Sequence, residues 1–162
     1  MDDDPIRAIG FITTRIAYLE DTIDKLIQLT RSIFYFPKTI ESFSTNAKVK
    51  ELQKNYKKAF DLVHDYPFKD SDKKYAFSIL EDTQNILKDR NCYIHSIYIG
   101  NTNNNITQHH KKLNETFTTS AKELYEFANM VSDHETGVMK LIMHTKERLL
   151  KEMSEGNLKI KR

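Results

Sequence analysis

The 162 residues carry 25 Lys and Arg against 23 Asp and Glu, a formal net charge of +2, with 39% hydrophobic residues, 4 Gly, 3 Pro and 1 Cys. That is enough chain for one domain with a real core, and few breakers among many Lys, Glu, Ile and Leu favour long helices over strands. The near-neutral balance excludes capture of nucleic acid by global charge, the lone cysteine excludes an intrachain disulfide and Cys-ligated zinc, and no run approaches the ~18 apolar residues of a membrane span.

The acidic start, MDDDP, argues against a signal peptide, so a cytoplasmic location is expected. Asp4 before Pro5 is good helix-start chemistry. Ile9, Ile12, Ile16, Leu19, Ile23 and Leu26 then recur at spacings of three and four, predicting a first helix that stops near Phe34 because Pro37 forbids continuation. A second helix is predicted from Ser44–Asn46, with Val49, Leu52, Tyr56, Phe60 and Val63 on its apolar side. Lys48, Lys50, Lys54, Lys57 and Lys58 lie on the other, read first as a solvated face and second as a track for RNA backbone.

After a linker, 65–72, a third helix is predicted from Lys73 to Tyr98 and ended by Gly100, with 101–105 as a polar loop. Residues 106–117 stay open between a short strand, a ragged helix and a flap. Ser120 and Glu123 have capping-box spacing and predict the start of a fourth helix. Its apolar side carries Leu124, Phe127, Val131, Val138, Leu141 and Leu149, with Gly137 marking a bend or break. The expected fold is all-α: an antiparallel up-and-down bundle of four to five helices over 1–156, then a basic tail, 157–162.

The third helix departs from a plain core helix. Its apolar row runs Leu80, Thr83, Leu87, Arg90, Ile94, Ile97, so Arg90 fills a slot where the pattern asks for a hydrophobe. A guanidinium there must reach a carboxylate, a cavity or a ligand phosphate, because burial unpaired costs several kcal/mol. A second row, Gln84, Lys88, Asn91, His95 and Tyr98, is polar at the same spacing and predicts a hydrophilic wall. On an ideal helix Asn91 and His95 are about 40° apart, so Asn91 can orient the imidazole; Arg90 and His95 are about 140° apart and ~7.5 Å along the axis, placed to flank a shared ligand. The spacing by itself also fits a surface histidine and an interface ion pair.

The hexapeptide Arg90-Asn91-Cys92-Tyr93-Ile94-His95 resembles the Arg-x4-His signature of the HEPN superfamily, small helical domains many of which are metal-independent ribonucleases. The resemblance covers six residues as motif and most of the chain as architecture. It implies a homodimer whose two motif helices face each other across a joint cleft. It also implies an endoribonuclease of toxin or phage-defence type, acting on RNA and partnered by an antitoxin or another defence-system protein. Arg90 would stabilise the phosphorane, His95 would move the proton and Asn91 would orient it, leaving a 2′,3′-cyclic phosphate and a 5′-hydroxyl. Two proton transfers against one motif histidine per chain give a physical reason for a two-fold site. Lys88, Tyr98, His109, His110, Lys111 and Lys112 are the candidate substrate contacts. Tyr98 stands three residues after His95, not two as in the subgroup whose tyrosine is adenylylated. The alternative is a non-catalytic HEPN-like dimer that binds nucleotide, RNA or a partner protein.

No metal or other cofactor is expected. The chain lacks paired Glu-x-x-His repeats, its nearest approach being Asp61 to His64, and His109-His110 has no carboxylate beside it. Cys92 has no evident activator, and there is no Gly-rich phosphate loop.

Overall fold

A computed structural model describes residues 4–62, 70–100, 105–110 and 114–156. The linker at 65–69, the loop at 101–104, Lys111, Lys112 and the tail at 157–162 fall outside these, as do Val63 and His64. Helix α1 spans Pro5–Thr30, a 3₁₀ turn Ile40–Ser42, α2 Thr45–Leu62 and α3 Asp70–Ile94. Strands β1 (Ser96–Gly100), β2 (Asn105–His110) and β3 (Glu115–Ser120) follow, and α4 covers Ala121–Ser154. No described helix is long and apolar enough to cross a membrane.

The start signals act as their chemistry predicts. The Asp4 carboxylate accepts from the backbone N–H of Ile6 at 2.9 Å and of Arg7 at 3.3 Å, taking up two donors that α1 would leave unpaired. Ser120 and Glu123 close a reciprocal box: Ser120 Oγ accepts from Glu123 N–H at 3.2 Å, and Glu123 Oε2 accepts from Ser120 N–H at 2.9 Å. α1 ends at Thr30, four residues short of Phe34, where the Thr30 carbonyl accepts from both Ile33 and Phe34.

The apolar rows of α1, α2 and α4 converge on one core. Ile12, Ile16, Leu19, Ile23 and Leu26 meet Val49, Leu52 and Tyr56, and Leu124, Phe127, Val131, Val138 and Leu141 close it. Each such side chain withdrawn from water contributes about 1.5–3 kcal/mol. The Tyr56 hydroxyl hydrogen-bonds Thr145 Oγ1 at 2.9 Å, tying α2 to α4. Gly137 does not break α4, which is continuous from Ala121 to Ser154. It permits close approach of α3: an added Cβ would lie 2.9 Å from Ile79 Cδ1, and the Tyr75 hydroxyl donates to the Gly137 carbonyl at 2.9 Å. Lys48 leaves the solvated face expected for it, its stem buried and its ammonium 2.7 Å from Asp24.

Two expectations are corrected. The chain is not all-α, because the stretch left open at 106–117 belongs to a three-stranded antiparallel sheet of order β1-β2-β3. Tyr98 faces Gln108, which faces Phe117, and Ser96 faces His110, which faces Glu115. α3 therefore ends at Ile94 rather than Tyr98. Nor do the long helices alternate up and down throughout. Phe11 packs on Tyr125 and Lys25 feels the carboxylate of Glu135, so α1 and α4 run in the same direction. Tyr93 stacks on Phe127 while Tyr75 reaches Gly137, so α3 runs against α4. The reason lies in the return segment after α1: Phe34 packs edge-on to Tyr56, and Asn55 bonds both the N–H and the carbonyl of Tyr35. A long anchored connection, not a tight turn, carries the chain into α2.

Candidate functional site

The motif lies where α3 meets the sheet. A helix leaves its last carbonyls without intrahelical donors, and burial of that end requires them to be satisfied from elsewhere. Side chains of β1 and β2 do so. Ser96 Oγ and Gln108 Nε2 both donate to the Cys92 carbonyl, and Gln108 Nε2 also lies 2.9 Å from Ser96 Oγ. The Tyr98 hydroxyl donates to the Tyr93 carbonyl. His110 Nε2 lies 3.2 Å from the Asn91 carbonyl, a geometry that requires the proton on Nε2. The Asn91 carbonyl also takes the His95 backbone N–H at 3.3 Å. The inward row of β2, Ile106, Gln108 and His110, is buried, and two of its three members are polar because their partners are a helix end.

This geometry reassigns two of the expected substrate contacts. Tyr98 and His110 point into the protein and cap α3. Burial raises the Tyr98 phenol well above its ordinary pKa, so it stays a neutral donor at physiological pH. His109 is on the outward row, half-buried, with Nδ1 3.2 Å from Thr116 Oγ1. Lys88, Asn91 and His95 are exposed, so the hydrophilic wall exists along α3 as far as its end. His95 itself sits one residue beyond the helix. Among the described residues no side-chain hydrogen bond joins Asn91 to the imidazole, and the ideal-helix angle between Arg90 and His95 does not apply.

Arg90 finds a carboxylate. Its Nη1 donates to Glu20 Oε1, with both side chains partly buried, at 26% and 35% exposure, while Nε is buried and makes no hydrogen bond. Glu20 was not singled out by the sequence analysis, yet its signal is there: Ile16, Glu20, Ile23 and Ile27 recur at spacings of four, three and four, so an acid interrupts an apolar row of α1 just as Arg90 interrupts one of α3. Charges of opposite sign in two facing apolar rows are a pairing signal.

Other features do not add to the site. A cleft of about 100 Å³ opens elsewhere, lined by Asp24, Arg31, Ile40, Glu41 and Lys48, and its charges are committed to the Lys48–Asp24 and Arg31–Glu41 ion pairs. Among the described residues no group of three His, Cys, Asp or Glu side chains could hold a metal ion. Comparison with protein-family models, curated proteins and solved structures finds no match.

Proposed function

We propose that the chain is a HEPN-like helical domain that binds single-stranded RNA without cleaving it, using the exposed Lys88, Asn91 and His95 at the end of α3. The observation that carries this reading is the Arg90–Glu20 pair. Cleavage of a phosphodiester without metal needs an uncompensated cation beside the phosphorane. Here the motif cation already has its counter-charge: two unit charges 4 Å apart attract by about 4 kcal/mol at an effective dielectric of 20, which a phosphate would have to outbid. The Glu20 carboxylate would also repel that phosphate. Lys88, Asn91 and His95 are on one face, exposed, and chemically suited to phosphate oxygens and base edges.

A second reading is the metal-independent ribonuclease of a homodimer, with Arg90 and His95 as its catalytic groups. It is favoured by the exposure of His95, which leaves its imidazole accessible to a substrate, and by the donors of Arg90 that Glu20 does not use.

A fluorescent single-stranded RNA incubated with the purified chain in EDTA separates the two. Binding followed by anisotropy is expected, with intact RNA on a gel, and the triple change Lys88→Ala, Asn91→Ala, His95→Ala is expected to weaken it roughly tenfold or more. Cleavage that disappears with His95→Ala, the variant remaining folded, would instead establish the ribonuclease. RNA neither bound nor cut would refute both.

A further inference from the structure

The cleft bounded by Asp24, Arg31, Glu41 and Lys48 lies between the end of α1 and the start of α2. Its floor is Ile27 and Ile40, which are 4% and 1% exposed. Its walls carry two ion pairs, Lys48–Asp24 and Arg31–Glu41. Asp24 and Arg31 are seven residues apart on α1, so the two pairs stand ~10.5 Å apart along that helix. Lys48 is in the first turn of α2, which begins at Thr45, and Arg31 follows Thr30, the last residue of α1. One end of the cleft therefore carries the positive pole of α2 and the other the negative pole of α1.

We propose that this cleft binds a small free α-amino acid, of the size of glycine or alanine, with its carboxylate on Lys48 and its ammonium on Glu41. Size is the first argument. A closed cavity of ~150 Å³ admits benzene, so an open cleft of about 100 Å³ takes a molecule of about five or six heavy atoms. Charge is the second. Each cation of the cleft already has a carboxylate, so a net anion would meet Asp24 or Glu41, and a net cation would meet Lys48 or Arg31. A zwitterion brings no net charge, and its two ends match the two helix poles.

Neither ion pair has to break. The Lys48 ammonium has three donors, one of which serves Asp24, and its side chain is only 12% exposed, so the charge is held in place. The Glu41 carboxylate has lone pairs beyond the one that Arg31 takes. An α-amino acid head group with one ~2.9 Å hydrogen bond at each end spans roughly 9 Å, comparable with the spacing of the pairs. Ile27 and Ile40 supply an apolar base for its carbon atoms. The inference rests on the α1–α2 connection and uses no residue of the motif or of RNA binding.

A titration of the isotope-labelled full chain with L-alanine, followed by amide NMR, tests it. Saturable shifts are expected at Ile27, Arg31, Ile40, Glu41 and Lys48, with a Kd of roughly 1 mM or tighter. L-Lactate, which lacks the ammonium, and ethylamine, which lacks the carboxylate, are expected to bind roughly tenfold or more weakly. Glu41→Gln, on an exposed turn, is expected to weaken L-alanine by a similar factor at unchanged far-ultraviolet circular dichroism. The analogue series on the parent chain decides the matter even if that variant folds poorly. No saturable shift through the millimolar range overturns the proposal, as do shifts confined to residues outside the cleft. So does lactate or ethylamine binding as well as alanine, or a folded Glu41→Gln chain that binds alanine like the parent.

Discussion

Arg90 and Glu20 each occupy a position that its own helix would give to a hydrophobe, and each is there because of the other. Removing one charge strands its partner in a half-dry site, so Glu20→Gln is expected to cost about 1–2 kcal/mol, read as a lowered denaturant midpoint. The double replacement Glu20→Leu, Arg90→Leu is expected to match or exceed the parent stability, since a well-packed apolar pair replaces two partly desolvated charges. If the double variant is no better than the worse single, the pair is not the unit described. His134 is a second residue whose environment has a measurable consequence. It is mostly buried on α4, with Nε2 2.8 Å from Thr83 Oγ1, and burial, only partly opposed by nearby Asp82, lowers its pKa below the ordinary 6.5. The folded state thus takes up a proton less readily than the unfolded chain. Its contribution is fully present above pH 6.5 and is lost as the pH falls from there through the folded pKa. His134→Gln should flatten the acid side of the stability–pH profile relative to the parent; equal slopes would contradict the assignment.

At the scale of elements, the sheet and α3 form one unit, because the sheet supplies the donors that the helix end lacks. Gln108 is 3% exposed and serves both the Cys92 carbonyl and Ser96 Oγ. Gln108→Leu keeps the volume and removes the donor, and is expected to cost about 1–2 kcal/mol, with faster amide exchange over the last turn of α3. An unchanged exchange pattern would mean that the cap is dispensable. The same unit explains why the motif end is half structural and half exposed. Tyr98 and His110 are consumed by the helix end, whereas Lys88, Asn91 and His95 are left to solvent.

Over the whole molecule, α1 and α4 pack directly on each other in one direction and α3 packs against them in the other. This leaves the far half of α4 with one face in the core and one in solvent.

Local chemistry by itself determined the four helices and most of the core. Rows such as Ile12, Ile16, Leu19, Ile23, Leu26 and Leu124, Phe127, Val131, Val138, Leu141 have a 3.6-residue period that needs no knowledge of the partner, and the Asp4 and Ser120–Glu123 starts are interactions within a few residues. The need of Arg90 for a counter-charge was equally legible, and Glu20 is marked by its place in an apolar row of α1; that the two rows face each other was not, because they lie seventy positions apart and no local pattern pairs them. The sheet was hidden for a different reason. Strands are read from apolar alternation, but the inward row of β2 ends in Gln108 and His110, polar because they face helix carbonyls rather than a hydrophobic core. Only the tertiary structure decides such matters, since the period of a pattern is a property of one segment, while the identity of a partner is a property of two.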